Sequence, residues 1–169
     1  YLSGDTPLYQ NMRVDKFLHF VGCARGLRRA ELRQGFERVV ELCGLAPVLL
    51  QRVHQCSTGY RQRVGLATAL IHDPPVLLLD EPTHGFDPMQ VMAFRDMLRQ
   101  LKKGKAILFS THIASDVEAV SDRVLIINRG RILGDGTLDE LATQSQLPGS
   151  NLEEIFAHRV RQAGASEHA

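Results

Sequence analysis

A short apolar run that ends in two acidic residues decides the fold of this chain: Val76-Leu77-Leu78-Leu79-Asp80-Glu81-Pro82. A continuous apolar run of this length is typical of a strand in a parallel sheet, where both faces are covered. We therefore expect a buried strand over Pro75–Leu79. Because ligands gather at the carboxyl ends of parallel strands, Asp80 and Glu81 are candidate site residues.

The paired acids suit a site that acts on a nucleotide. A carboxylate at this place can hold a magnesium ion on the nucleotide, usually through water, and its neighbour can polarise an attacking water. Asp80 fits the first role and Glu81 the second. The alternative is structural: Asp80 caps the following turn and Glu81 is only solvated.

The pattern around this run predicts an α/β chain whose first part is helical. Apolar spacing predicts four helices, over Asp15–Arg25, Ala30–Cys43, Tyr60–Ile71 and Met89–Leu101. Asp15 would cap the first helix, and Gly44 would end the second in a left-handed conformation. Short apolar runs predict strands over Ala106–Phe109 and Val124–Ile127, and Tyr1–Gly4 looks like a strand already ending. A tight turn over Asn128–Arg131 predicts a hairpin with Ile132 and Leu133 that closes the sheet, before short helices at Leu138–Ala142 and Leu152–Val160.

Composition narrows the class of protein. The chain has 169 residues, 44% hydrophobic and 23% charged, which suits one globular core with an ordinary surface. A net charge of +1, with Lys and Arg scattered, gives no reason to expect nucleic acid as a partner. Cys23, Cys43 and Cys56 lack metal-binding spacing and are expected to be reduced core thiols in a cytosolic compartment. No apolar run approaches the roughly 20 residues of a membrane span.

A Ser57-Thr58-Gly59 turn precedes the third predicted helix. Backbone N–H groups at such a turn, together with the helix dipole, attract phosphate oxygens. Gly59 would allow close approach, and Ser57 adds a hydroxyl. Taken alone the turn is an ordinary helix cap. The proximity of Asp80, one helix further along the chain, favours a phosphate-binding role.

These motifs resemble those of ABC ATPases, in the same order. The run Ser57-Thr58-Gly59-Tyr60-Arg61-Gln62-Arg63-Val64-Gly65-Leu66-Ala67 resembles the signature motif, with Tyr60 where many members carry Gln. Val76–Glu81 resembles the Walker B strand with its catalytic glutamate, Gly85-Phe86-Asp87-Pro88 the D-loop, and His112 the switch histidine. Tyr1–Val14 is similar to the Q-loop region, and Leu138–Phe156 to the closing helices. The sequences of the signature motif and the D-loop are similar to those of ATPases of bacterial ABC-2 exporters, including gliding-motility and copper-site-assembly relatives.

The resemblance implies a fold and a division of the chain. The fold is that of a P-loop NTPase (RecA-like) ABC ATPase domain, in its C-terminal portion, with the helical subdomain and a partial, mostly parallel sheet. Residues 1–55 would hold the Q-loop region and helical subdomain. Residues 56–136 would form the signature helix, Walker B, D-loop and switch-histidine core, and residues 137–169 the closing helices and tail.

The resemblance also implies a mechanism, in which two subunits sandwich two ATP molecules with Mg²⁺. The turn residues Ser57, Thr58 and Gly59 would bind the γ-phosphate held by the opposite subunit, and Asp87 would contact that subunit. Asp80 would position magnesium, and Glu81 would act as general base or orient the water. His112 would contact the γ-phosphate; its alternative is a surface histidine that caps a helix.

The implied setting is a transporter. The partners would be a transmembrane permease and a second ATPase subunit, in a homodimer, at the cytoplasmic face of the plasma (inner) membrane. The transported substrate is not encoded here, because in this family the membrane subunit selects it.

Two departures from the family bear on activity. The 169 residues contain no Gly-x-x-x-x-Gly-Lys-Ser/Thr loop, the Walker A cradle for phosphates. Gly4 stands at the Q-loop glutamine position, with Gln10 nearby but out of register, so hydrolysis could be slow or signalling altered.

The missing loop leaves several interpretations. We expect a truncation before the Q-loop, so that the complete protein is an ATPase and this segment alone is inactive. The other explanation of the missing loop is a non-catalytic ABC-like interaction subunit. Alternatives for the function as a whole are an ABC ATPase not tied to transport and a helicase with a similar acidic motif, which would not explain the run Ser57–Ala67.

Overall fold

A computed structural model describes residues 1–3 and 7–166 of the chain. Its contacts divide the chain into two units, Tyr1–Thr111 and His112–Ala169. The three segments drawn from the motifs remain a prediction. Gly4, the residue at the Q-loop glutamine position, lies outside the described residues.

The first unit begins with three helices, α1 Val14–Ala24, α2 Arg29–Leu42 and α3 Thr58–Leu70, with 3₁₀ turns at Ala46–Val48 and Val53–Gln55. The predicted helices agree within two residues at each end. Gly44 follows α2 with a positive φ of 62°, as predicted. The prediction that Asp15 caps α1 is wrong, because the N-cap is Arg13 and Asp15 lies in the first turn. The Asp15 carboxylate instead pairs with the Arg13 guanidinium at 2.6 Å.

Helices α2 and α3 approach each other closely through a glycine. A Cβ added at Gly35 would lie 2.5 Å from the backbone oxygen of Ile71, just after α3. One turn along α2, the Arg38 guanidinium donates to the carbonyl oxygens of Leu70 and Ile71, at 3.3 and 3.2 Å. The last carbonyls of a helix have no partner within the helix, and these bonds supply one here, in addition to the bond that the Leu70 carbonyl accepts from the Asp73 N–H. The end of α3 is therefore held against α2.

The central part of the unit is a strand, a helix and a strand: β1 Val76–Asp80, α4 Pro88–Leu101 and β2 Ala106–Ser110. The strands are parallel, in a register that runs from Val76 opposite Ala106 to Asp80 opposite Ser110. Leu2 forms a parallel bridge with Leu79, consistent with the extended start that its sequence predicts. The Leu2 N–H donates to Leu78, and the Leu2 carbonyl accepts from Asp80.

The prediction that these strands are buried on both faces is wrong. Leu77 and Leu79 are buried, whereas Val76, Leu78 and Leu108 are 55%, 43% and 58% exposed. Successive side chains of a strand point to opposite faces, so the described residues cover only one face of this small sheet.

The second unit contains α5 Ala114–Val120, β3 Val124–Asn128, β4 Arg131–Gly136, α6 Leu138–Gln144 and α7 Leu152–Ser166. Arg129 and Gly130 both have positive φ, 48° and 73°, which matches the twist of a tight antiparallel hairpin. The hairpin does not close the parallel sheet as predicted. In the described ranges its strands pair only with each other, as a separate two-stranded sheet.

The core of the second unit lies between one face of the hairpin and the last two helices; its buried members are Ile126, Leu141, Ala142, Leu152 and Ile155. Arg159 of α7 ties these elements together. Its guanidinium donates to the Leu133 carbonyl at 2.6 Å, to Ser145 Oγ at 3.0 Å and to Gln144 Oε1 at 2.9 Å.

Candidate functional site

The carboxyl ends of β1 and β2 bring two polar side chains together. Asp80 is the last residue of β1, and Ser110, directly opposite, is the last residue of β2. Ser110 Oγ donates to Asp80 Oδ1 at 2.6 Å, and both residues are exposed. The sequence singled out Asp80 but assigned Ser110 no role. The signal was present, since both apolar runs end in a polar residue and parallel strands end at the same edge.

Glu81 continues directly from β1 in a strained conformation. Its φ is 45°, in the left-handed region, which costs a non-glycine residue about 1–2 kcal/mol. Two backbone hydrogen bonds hold it there: its N–H donates to the Ser110 carbonyl at 3.1 Å, and its own carbonyl accepts from His84. The side chain is half-buried. Strain of this kind, kept in place by neighbouring bonds, is a reason to consider a functional role.

The Ser57 turn begins α3 as a true N-cap. Ser57 Oγ accepts from the Tyr60 N–H at 3.3 Å, so the capping alternative describes part of what the residue does. The hydroxyl proton is not used by this bond and can be donated to an anion. The Arg61 guanidinium braces the turn by donating to the Cys56 carbonyl at 2.8 Å and to Thr58 Oγ1 at 3.0 Å. The N–H groups of Thr58 and Gly59 lie in the first turn, where a helix supplies no acceptor of its own.

The structure gives Gly59 a different neighbour from the one expected. Gly59 is buried, and a Cβ added to it would collide with the side-chain amide of Gln90, lying 3.0 Å from Cδ and 3.1 Å from Nε2. A Cβ added at Gly85 would in turn lie 2.8 Å from Cγ2 of Thr58. The signature turn and the predicted D-loop are therefore in direct contact. The sequence predicted both segments but not that they touch.

Asp87 begins α4 as its N-cap. Asp87 Oδ1 accepts from the Gln90 N–H at 2.9 Å, and Gln90 Oε1 accepts from the Asp87 N–H at 3.4 Å. This reciprocal arrangement is a capping box, and Pro88 at the first helical position reinforces it.

Of the predicted site residues, His112 is the one that falls in the second unit, at its first position. It is exposed and lies two residues before the first residue of α5, whose N-cap is Ile113. The sequence missed α5 itself.

The described residues gather no group of three or more His, Cys, Asp or Glu that could hold a metal by themselves. Mg²⁺ commonly binds through one or two carboxylates, with waters and substrate phosphates filling its remaining positions. The oxygen donors of Asp80 and Ser110 fit a magnesium ion that arrives with a nucleotide. Within the described ranges, no helix is both long enough and apolar enough to cross a bilayer.

Comparison with known proteins decides the family. The family model for ABC transporters matches residues 1–84. A solved ATP-binding subunit of an ABC transporter superposes with a TM-score of 0.85 at 30% identity, covering 95% of this chain and 67% of that one. The chain belongs to the ABC transporter ATP-binding family. The fold predicted from the resemblance is thereby confirmed, as is the recognition of an ATP-binding subunit.

Curated relatives agree with this assignment. The ABC transporter ATP-binding protein NatA of Bacillus subtilis (strain 168) is 40% identical over 159 residues, covering 94% of this chain and 64% of its own length. The uncharacterized ABC transporter ATP-binding protein YxlF of the same organism is 40% identical over 146 residues, covering 86% of this chain and 50% of the length of YxlF. The chain thus spans about half to two thirds of the length of these relatives.

Proposed function

We propose that this ABC family chain is the ATP-hydrolysing subunit of a transporter. It would bind ATP with Mg²⁺ and drive transport through a separate membrane permease, at the cytoplasmic face of the plasma (inner) membrane. The observation that carries the proposal is the placement of Asp80 and Glu81 at the carboxyl end of β1, beside Ser110.

The strand-end residues would perform the chemistry. Asp80, oriented by the Ser110 hydroxyl, would hold Mg²⁺, which neutralises charge on the phosphates when it is bound. Glu81 would orient the attacking water or take its proton, and the two backbone bonds around it support a fixed direction for its side chain. His112 would contact the γ-phosphate. Catalysis of this kind depends mostly on positioning and on charge stabilisation.

The signature turn would act on a second subunit of the same kind. Ser57 would donate its hydroxyl, and Thr58 and Gly59 their N–H groups, to the γ-phosphate held by that subunit. Asp87, at the start of α4, would contact it as well. The direct packing between the Ser57 turn and the Asp87 segment supports their common role at one interface.

The test is Glu81→Gln in the protein expressed from its complete coding sequence, with Glu41→Gln as the matched control. Glu41 is exposed on α2, so its variant carries the same chemical change away from β1. A lost general base lowers turnover about 10²–10⁴-fold. We expect Glu81→Gln to lose turnover on that scale while its Kd for ATP stays within about twofold, because binding needs no proton transfer.

Unchanged turnover in Glu81→Gln would remove Glu81 from its role. The same coding sequence also addresses the alternative function, because a protein that nowhere contains a phosphate loop could only lend its Ser57 turn to another ATPase. It would then show no ATPase activity of its own, and Glu81→Gln would change nothing.

A further inference from the structure

We propose that Gln90 is a positioning residue, whose side chain holds the Ser57–Gly59 turn against the start of α4 so that both move as one body. The inference rests on the proposed function, because that function brings the Ser57 turn and Asp87 to the same opposing subunit. None of the motifs recognised in the sequence assigns a role to Gln90.

The contact between Gln90 and Gly59 is tight. Gly59 is buried, Gln90 is half-buried, and the space where a Cβ of residue 59 would stand is occupied by the Gln90 amide. The space left by the missing side chain of Gly59 is thus filled by Gln90 of the same chain. A phosphate would then approach this residue through its N–H group rather than across its Cα.

Gln90 contacts the other segment at the same time. Its Oε1 accepts from the Asp87 N–H at 3.4 Å, and its own N–H donates to the Asp87 carboxylate. The 3.4 Å bond is long and therefore weak, so capping alone does not account for the amide's place over Gly59. The Gln90 side chain thus connects Asp87, which would face the partner subunit, to the Ser57–Gly59 turn, which would face the nucleotide held by that subunit.

Two further contacts join the start of α3 to the segment just before α4. The methyl group of Thr58 lies against Gly85, where a Cβ would meet it at 2.8 Å. The Arg63 guanidinium lies 5.9 Å from the ring centre of Phe86 and 5.7 Å from that of Tyr60, within the range of a cation–π interaction. Because close-packed groups do not deform continuously, a displacement of the Asp87 segment is carried to the Ser57 turn.

The experiment measures ATP-dependent dimerisation of the complete protein in a Glu81→Gln background, by sedimentation velocity. Gln90→Ala removes both the packing and the side-chain cap. Gln90→Met keeps a side chain of similar length over Gly59 but cannot accept the bond from Asp87. Gln100→Ala is the matched control, since Gln100 is exposed in the last turn of the same helix.

We expect Gln90→Ala to weaken the dimer about 3- to 10-fold, which lies in the lower part of the range of coupling between residues in contact. Gln90→Met should stay close to the parent protein, and Gln100→Ala should be unchanged. Adding Gln90→Ala to Ser57→Ala should weaken the dimer by less than about twofold further, because both act through the same turn.

Three results would overturn the inference alone. The Gln90→Ala dimer could be as strong as the Gln100→Ala dimer, the Gln90→Met dimer could be as weak as the Gln90→Ala dimer, or the effects of Gln90→Ala and Ser57→Ala on dimer strength could be fully additive. In each of these cases a weakened Ser57→Ala dimer would leave the proposed function intact. A Ser57→Ala dimer of normal strength would instead refute the role proposed for the turn, and the positioning role of Gln90 with it.

Discussion

Replacing Gly35 by alanine tests the close packing between α2 and α3. Within a helix, alanine is favoured over glycine by about 1 kcal/mol, so intrinsic propensity alone predicts a more stable protein. The added Cβ, however, would lie 2.5 Å from the Ile71 carbonyl oxygen. A backbone atom cannot move aside as the end of a flexible side chain can, so the two helices must separate.

The cost can be worked from these contacts. A carbon and a carbonyl oxygen rest at about 3.3–3.6 Å, so the helices must open by nearly an ångström. Overpacking of this kind costs about 1–3 kcal/mol. The opening also stretches the two Arg38 bonds to the end of α3, whose net worth is about 1 kcal/mol each in a partly buried place. After the propensity gain, we expect a net loss of about 1–3 kcal/mol.

The assay is urea unfolding followed by far-ultraviolet circular dichroism, with Gly164→Ala as the matched control. Gly164 lies in α7, and nothing is found within 4 Å of its added Cβ. The same substitution should therefore have the opposite sign there and stabilise by up to about 1 kcal/mol. A stabilised Gly35→Ala protein would refute the argument that helix contact outweighs propensity.

Two further predictions concern titratable groups. Lys105 donates to the Asp73 carboxylate at 2.7 Å, and this bond lowers the pKa of Asp73 from its ordinary value of 3.8. The stability it contributes is thus present above pH 3.8 and lost as the pH falls through the lower folded pKa. Because Asp73 is 58% exposed, Asp73→Asn should cost at most about 0.5–1 kcal/mol at neutral pH and nothing in strong acid, as measured by urea unfolding; an equal cost at both would contradict this. Cys23 is exposed, so the expectation that the cysteines are core thiols is wrong for this residue, whereas Cys43 and Cys56 are buried as expected. Burial raises the pKa of the Cys43 thiol to about 12 and also raises that of Cys56, so Ellman's reagent should modify only Cys23 quickly; a second fast-reacting thiol would contradict this.

The sequence pattern predicted well those helices and strands whose formation depends mainly on residues nearby in the chain. Helical spacing and the end of each apolar run placed α1 to α4, β1 and β2 within a residue or two, because these features depend on neighbours along the chain. Helix α5 was missed because its sequence, Ala114 to Val120, has two valines among small and acidic residues. So short a stretch carries no clear apolar stripe.

Contacts between distant segments could not be predicted in the same way. Asp80 and Glu81 could be identified from one strand, but the hydrogen bond from Ser110 depends on the register of a second strand 30 residues away. The amide of Gln90 over Gly59 depends on how α3 and α4 pack. Burial of β1 on both faces was wrong for the same reason: an apolar run shows what a strand can bury, not which segment covers it.

The parallel bridge between Leu2 and Leu79 has a consequence for the order of folding. The hairpin of β3 and β4 joins neighbours in sequence and can form in microseconds. Leu2 and β1, in contrast, are separated along the chain by all of α1, α2 and α3, and closing so long a loop slows their pairing. Since the Asp80 N–H is bonded to the Leu2 carbonyl, the acidic strand end takes its final form late. We therefore expect its amide to gain protection from hydrogen exchange after those of the hairpin during refolding.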